Sequence, residues 1–294
     1  MNANDVFLQQ FLIEANNGNK KSTETTDRRV ISKFLRVTNK PVNEITKEDI
    51  LMYIRSLDVA ETTRDLYKIT LRKFFKWMQK PELVSWIKVN RLKNYNYKTE
   101  SDIFTEKEVE LLIQHCQSVQ EQAMIAVLYD SAARIAEFTK LKIGDIIQGD
   151  ETFIVVNGKT GTRKIPLNGS LLYLQQYLET HPNKDDRNAA LWLSSWDKQY
   201  TRAGIHRVIK QIAKRSKIQK RVTAHIFRHS RLTELARENL NESVMRHFAG
   251  WSRSSQMPSI YIHIAGDNVL SALRKIEPKK QLIDSTTVEQ QVQQ

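Results

Sequence analysis

Apolar residues recur along most of this chain at helical spacing, and one short region reads as paired strands. Thr46-Lys-Glu-Asp49 offers an N-cap with acids in the first turn, and Ile50, Leu51, Ile54 and Leu57 follow at helical intervals. A longer helix is predicted from Glu61 to Met78. In it Arg64, Lys68, Arg72, Lys76 and Lys80 fall every fourth residue, which lines cations along one slowly winding side. Tyr67, Leu71, Phe74, Phe75 and Met78 hold mainly the other side. Pro81 ends that pattern.

The stretch Asn90–Ser101 is polar, basic and without period, and reads as a linker. Thr105-Glu-Lys-Glu108 is a capping box that opens a second domain. One helix is predicted over Glu121–Leu141. Thr152–Asn157 and Arg163–Leu167 are β-like and joined by Gly158-Lys-Thr-Gly-Thr162, a hairpin. Helices resume at Ser170–Glu179, Arg202–Ser216, Ala224–Glu238 and Glu242–Phe248, and a Pro-containing polar loop precedes Tyr261. The polar, Gln-rich end reads as a tail.

At 294 residues the chain has room for two domains, each with a core. Its net charge of +13 and pI near 9.7 favour a polyanionic partner, most often nucleic acid, over the alternatives of acidic lipid or none. Residues 1–99 hold 19 Lys and Arg against 11 acids, so the excess is strong in the first third. Cys116 is the single cysteine, which rules out an internal disulfide and reads as a buried, inert thiol. No secretory signal opens the chain, and no apolar run reaches the ~18 residues of a membrane span, so a cytoplasmic location is the default and no membrane partner is expected.

Five local contexts carry chemistry. Arg134 and Glu137 stand one turn apart; alone they are a common helical ion pair. Lys159 sits in the glycine-flanked turn, where an exposed lysine is the plainer reading, and Lys164 is its rival. His225-Ile-Phe-Arg228-His229 puts His225 and Arg228 on one helix face, fit to grip a phosphate; no second cluster completes a metal site. Trp251 offers one indole N–H, and Tyr261 is followed by Ile and His263. Cleaving a phosphodiester with an enzyme nucleophile needs an in-line nucleophile, positive donors on the nonbridging oxygens and a proton for the leaving oxygen. Tyrosine, arginine and lysine suit those three tasks in turn.

In this order the residues resemble the tyrosine recombinase (phage-integrase-like) family, whose pattern is Arg-x-x-Glu, a hairpin Lys, His-x-x-Arg, Gly-His or Gly-Trp, and Tyr-x-His. The likeness spans about residues 104–275, and the arginine and tryptophan contexts are similar to the Cre branch. The resemblance implies a mainly α fold with a small antiparallel β-sheet (α+β). It implies a helical core-binding, DNA-binding domain at 1–89, a linker at 90–103, a catalytic domain at 104–277 and a tail at 278–294. It implies that Arg134 and Arg228 clamp the scissile phosphate and that Lys159 protonates the 5′ oxygen. His225 would exchange a proton with Tyr261, Trp251 would donate to a nonbridging oxygen, and Tyr261 would form the 3′-phosphotyrosine link. Glu137, His229 and His263 would support them. For Arg64, Lys68, Arg72 and Lys76 a solvated face competes with DNA contact, and the charge balance of residues 1–99 favours the DNA. No metal or other cofactor is implied. The partners would be double-stranded DNA with specific recombination sites and, at synapsis, three further copies in a homotetramer, in the cytoplasm at the nucleoid. A segment near Val269–Leu282 is expected to dock on a neighbouring protomer. Two departures stand out: Ala133 replaces a Gly-x before Arg134, and Trp251 precedes Tyr261 by ten residues where nine is usual, with Pro258 as the extra loop residue. Two other readings use the same residues: a DNA-binding or architectural protein without chemistry, and a topoisomerase IB-like relaxing enzyme.

Overall fold

The computed structural model describes residues 3–15, 21–89, 102–158 and 160–265, in two units, residues 1–96 and 97–294. Most of the expected linker, the tail and the expected docking segment near Val269–Leu282 lie outside the described residues.

Among the described residues, the first unit forms four α-helices, α1 (Ala3–Glu14), α2 (Lys21–Thr38), α3 (Lys47–Ser56) and α4 (Glu61–Trp77). Thr46 caps α3 as its sequence suggests. Its hydroxyl accepts from Asp49 N at 3.3 Å, and the Asp49 carboxylate accepts from Thr46 N at 2.9 Å. Phe11, Ile31, Phe34, Ile50, Leu71, Phe74 and Phe75 fill the core, with Phe11 edge-on to Phe74 at 5.0 Å. Asp27 is buried on α2 and is answered by Lys73 of α4 at 2.6 Å. Pro81 starts a 3₁₀ turn rather than extending α4.

In the second unit α5 (Glu106–Gln114), capped by Thr105 and Glu108, packs on α6 (Val119–Asp130). A short helix α7 (Ile135–Phe138) leads to a three-stranded antiparallel sheet in the order β1 (Ile146–Ile147), β2 (Thr152–Gly158), β3 (Gly161–Leu167). The hairpin extends further toward its turn than its sequence suggests, pairing Gly158 with Gly161. Helices α8 (Leu171–Thr180), α9 (Arg202–Ser216), α10 (Ala224–Arg237), α11 (Glu242–Ala249) and α12 (Met257–Ala265) complete the unit. The architecture is thus mainly α with a small antiparallel sheet. Trp192 anchors the core, stacked between Phe138 at 4.7 Å and Tyr177 at 5.7 Å. Cys116 is half-buried, and burial pushes its thiol up to about 12.

Two expectations need correction. The helix expected over Glu121–Leu141 breaks between α6 and α7. The Ser131 hydroxyl donates to Val127 O at 2.6 Å and accepts from Ala133 N at 3.2 Å, drawing the backbone out of the helical ladder. Ala132 then turns left-handed, at φ 46°, so the place suited to a glycine is Ala132, not Ala133. The Pro-containing loop expected before Tyr261 forms only over 251–256; Met257 already opens α12, and Pro258 sits in its first turn, where it needs no N–H partner.

Asp130 closes α6 against the start of α8. One carboxylate oxygen accepts from Asn168 N, Ser170 N and Ser170 Oγ at 2.8, 3.1 and 2.8 Å, and the other meets Arg231 at 3.2 Å. Asp130→Ala leaves the buried Ser170 donors without this acceptor and Arg231 without one of its carboxylates, and should cost the second unit about 3 kcal/mol in urea unfolding. A loss under about 1 kcal/mol would mean the donors find other partners.

Candidate active site

The α6–α7 break, the β2–β3 hairpin, α10 and the end of α11 converge on one cluster of cations beside a tyrosine. Arg228, on α10, is buried. Its Nη1 donates to Ala132 O and its Nη2 to Ala249 O, both at 2.7 Å. Its guanidinium lies over the Trp251 ring at 5.7 Å, and that ring stacks on Tyr261 at 5.3 Å. The Tyr261 hydroxyl is 2.7 Å from Nδ1 of His229, and the tyrosine side chain is only 1% exposed.

Arg134 caps α7. Its Nη1 donates to Glu137 Oε1 at 2.9 Å and its Nη2 to Gly250 O at 2.9 Å. Its backbone N–H donates to Glu137 Oε2 at 3.0 Å. Glu137 is buried and also accepts from Arg163 Nη2 at 2.8 Å. Arg163 projects from the inward face of β3, in the row of Ile165 and Leu167, and its Nε donates to Phe248 O at 2.9 Å. Gly250 ends α11 in the left-handed region at φ 62°. A Cβ there would stand 2.6 Å from Arg163 Nη1, so only glycine fits.

The expected residues fall unevenly on this geometry. Arg134, Glu137, Arg228, His229, Trp251 and Tyr261 come together. His225 is exposed one turn from His229, its ring edge-on at 4.4 Å, and it is His229 rather than His225 that reaches the tyrosine hydroxyl. Lys159 and the side chain of His263 lie outside the described residues. Lys164 points outward from β3. On α4, Arg64 and Lys68 are neutralised by their own helix: Arg64 pairs with Glu61 at 2.6 Å, and Lys68 with Asp65 and Glu61 at 3.0 and 3.3 Å. Arg72 and Lys76 have no acidic partner among the described residues. Sequence reasoning missed Arg163, whose signal is an arginine at an inward strand position. It also missed the outer face of α9, where Arg202, Arg207, Lys210 and Lys214 are exposed on a helix without one acid.

Three guanidinium groups and one carboxylate leave the cluster strongly positive. Burial first, then the Arg134 guanidinium, brings Arg228 down to about 10, still charged at neutral pH. Burial works to raise the Glu137 carboxyl, but hydrogen bonds and charge from Arg163, and then from Arg134, outweigh it and hold it below the ordinary value of 4.5. A depressed folded value stabilises fully above the unfolded value and is lost as pH falls through the folded one. Glu137→Gln should therefore cost about 3 kcal/mol at neutral pH. Between about pH 5 and pH 3 the parent should lose stability more steeply than the variant; parallel urea midpoints across that range would refute the assignment.

The Phage integrase family pattern matches residues 102–267, more than half of the chain. A tyrosine recombinase of Thermosipho africanus is 27% identical over 261 residues, covering 84% of this chain and 90% of that protein. Tyrosine recombinase XerD of Listeria innocua is 29% identical over 175 residues, covering 55% of this chain and 56% of that protein. Among solved structures, XerH site-specific recombinase bound to palindromic difH substrate, a post-cleavage complex, shares the fold. Its TM-score is 0.72 at 18% identity, over 90% of this chain and 83% of that one. With its arginine cluster, its hairpin and its tyrosine helix in this order, the chain belongs to the Phage integrase family.

Proposed function

We propose that this chain is a site-specific recombinase that cuts and rejoins double-stranded DNA through a 3′-phosphotyrosine link at Tyr261. The observation that carries the reading is a tyrosine hydroxyl held on a histidine beside Arg228, within a cluster of three arginines and one carboxylate. Such a cluster calls for an anion, and a phosphodiester supplies one with oxygens matched to guanidinium forks. The relatives named tyrosine recombinases, and the XerH chain bound to its DNA substrate, support the same reading.

Arg228 and Arg134 each place two N–H donors on backbone or carboxylate oxygens, and the remaining donors are available to nonbridging oxygens. The Tyr261 oxygen attacks phosphorus as its proton passes to a histidine, with His229 already at hydrogen-bond distance. The bond from phosphorus to the 5′ oxygen breaks, and Lys159 gives that oxygen its proton. Re-ligation is the reverse. Because Tyr261 is buried, the side chains covering it must part before a duplex phosphate reaches the hydroxyl. On the first unit Arg72 and Lys76 face the DNA, and on the second the acid-free face of α9 does. Four protomers synapse two sites, in the cytoplasm where the DNA is. No helix among the described residues is long and apolar enough to cross a membrane.

Tyr261→Phe should abolish the covalent DNA adduct seen on denaturing gels while leaving binding within about threefold. An adduct that persists would remove Tyr261 as nucleophile, and no adduct from the parent despite binding would favour an architectural role. Relaxation of supercoiled DNA without any special site would favour a topoisomerase IB-like enzyme. Replacing Arg207 and Lys210 together by Ala should weaken DNA binding and flatten the slope of log K against log salt by about one per cation removed; an unchanged slope would take α9 off the DNA.

A further inference from the structure

We infer that Arg163 is a positioning residue for strand cleavage, fixing from inside the second unit how Gly158 and Thr160 of the hairpin, the Arg134–Glu137 pair and the Gly250–Trp251 corner stand to one another. The inference rests on the recombinase reading above.

Its place on the strand is the first reason. Arg163 faces inward beside Ile165 and opposite Val156, on a row otherwise built of aliphatic side chains. Its side chain is 5% exposed and that of Glu137 3%. Burying such a pair carries a large desolvation cost, and aliphatic residues of similar volume are often as stable. A charged pair at this position therefore needs a reason other than stability.

Its bonds supply the reason. Nε holds Phe248 O in the last turn of α11, and Nη2 holds Glu137 Oε2. The other oxygen of that carboxylate holds Arg134 Nη1. Arg163 thus fixes Glu137 from one side and Glu137 fixes Arg134 from the other. Without Arg163 the carboxylate is free to rotate, and the Arg134 guanidinium turns with it.

Two glycines close around the same guanidinium. A Cβ on Gly250 would come within 2.6 Å of Arg163 Nη1, and one on Gly158 within 2.2 Å of Glu137 Oε1. Gly158 immediately precedes Lys159, and Gly250 immediately precedes Trp251. On the far side of position 159, Thr160 Oγ1 donates to Gly250 O at 3.0 Å, the same oxygen that Arg134 Nη2 holds at 2.9 Å. Both neighbours of Lys159 are therefore seated on the structure that Arg163 organises. Lysine cannot replace it, because a single ammonium lacks the planar fork that reaches the carbonyl and the carboxylate from different nitrogens.

The test uses the full chain with Arg163→Met and Arg163→Lys, each alone and combined with Lys159→Ala. The readouts are DNA affinity and single-turnover adduct formation, on ordinary DNA and on a 5′-bridging phosphorothiolate whose leaving group needs no proton. Thermal unfolding monitors the fold. Expected are DNA affinity within about threefold of the parent and adduct formation slower by about tenfold to a hundredfold on ordinary DNA. The loss should be smaller on the phosphorothiolate, the remainder reporting the displaced Arg134 guanidinium, and in the Lys159→Ala background the added loss should fall to that remainder. Should Arg163→Met not fold, Arg163→Lys, which keeps charge and bulk, carries the same comparison. Adduct formation at the parental rate, or an equal loss on both substrates that multiplies with the Lys159→Ala loss, overturns the inference. A parent that forms no adduct on either substrate strikes the recombinase reading itself, and the inference with it.

Discussion

The buried carboxylate of Glu137 is the interaction on which the site depends. Three arginines brought this close repel one another, and that repulsion adds to burial in lowering Arg228 to about 10. Glu137 offsets it at the centre, with one oxygen on Arg134 and the other on Arg163. Its own value stays below the usual carboxylate range despite burial, so it remains an anion wherever the protein works. One negative charge among three positive ones is enough to assemble the cluster and too little to neutralise it. The surplus is what a phosphate group would meet.

Helix ends supply the rest of the scaffold. The last carbonyls of a helix have no partner within it, and they carry the negative end of the helix dipole. At the end of α11 Phe248 O accepts from Arg163, Ala249 O from Arg228, and Gly250 O from Arg134 and Thr160. After α6 the left-handed turn at Ala132 aims a further carbonyl at Arg228. The same bonds therefore finish two helices and orient three guanidinium groups. Trp251 follows directly, stacked between Arg228 and Tyr261, so the tyrosine's environment is fixed by the corner that terminates α11.

Much of this was legible in the sequence where local chemistry decides the outcome. The N-cap at Thr46, the capping box at Thr105, the glycine hairpin and the whole of α9 form as their residues direct. The break before Arg134 was not legible, because Ser131 competes for helical hydrogen bonds and Arg228 then holds the freed Ala132 carbonyl from far along the chain. Nor was α12, since Met257-Pro258-Ser259 reads as loop until the proline is seen in a first turn. His225 and His229 lie one helical turn apart, and only the docking of α12 decides which ring meets Tyr261. The ion pairs of Arg64 and Lys68 were visible in principle, with Glu61 and Asp65 three residues before them.

The central claim is that this cluster of cations exists to let Tyr261 take a DNA phosphate. The most direct measurement is to locate the bond. The denatured protein–DNA adduct is trimmed with nuclease, digested with trypsin and mapped by tandem mass spectrometry. A 3′-phosphonucleotide is expected on Tyr261, in the tryptic peptide 254–274. A nucleotide on any other residue, or one joined through its 5′ phosphate, would contradict it.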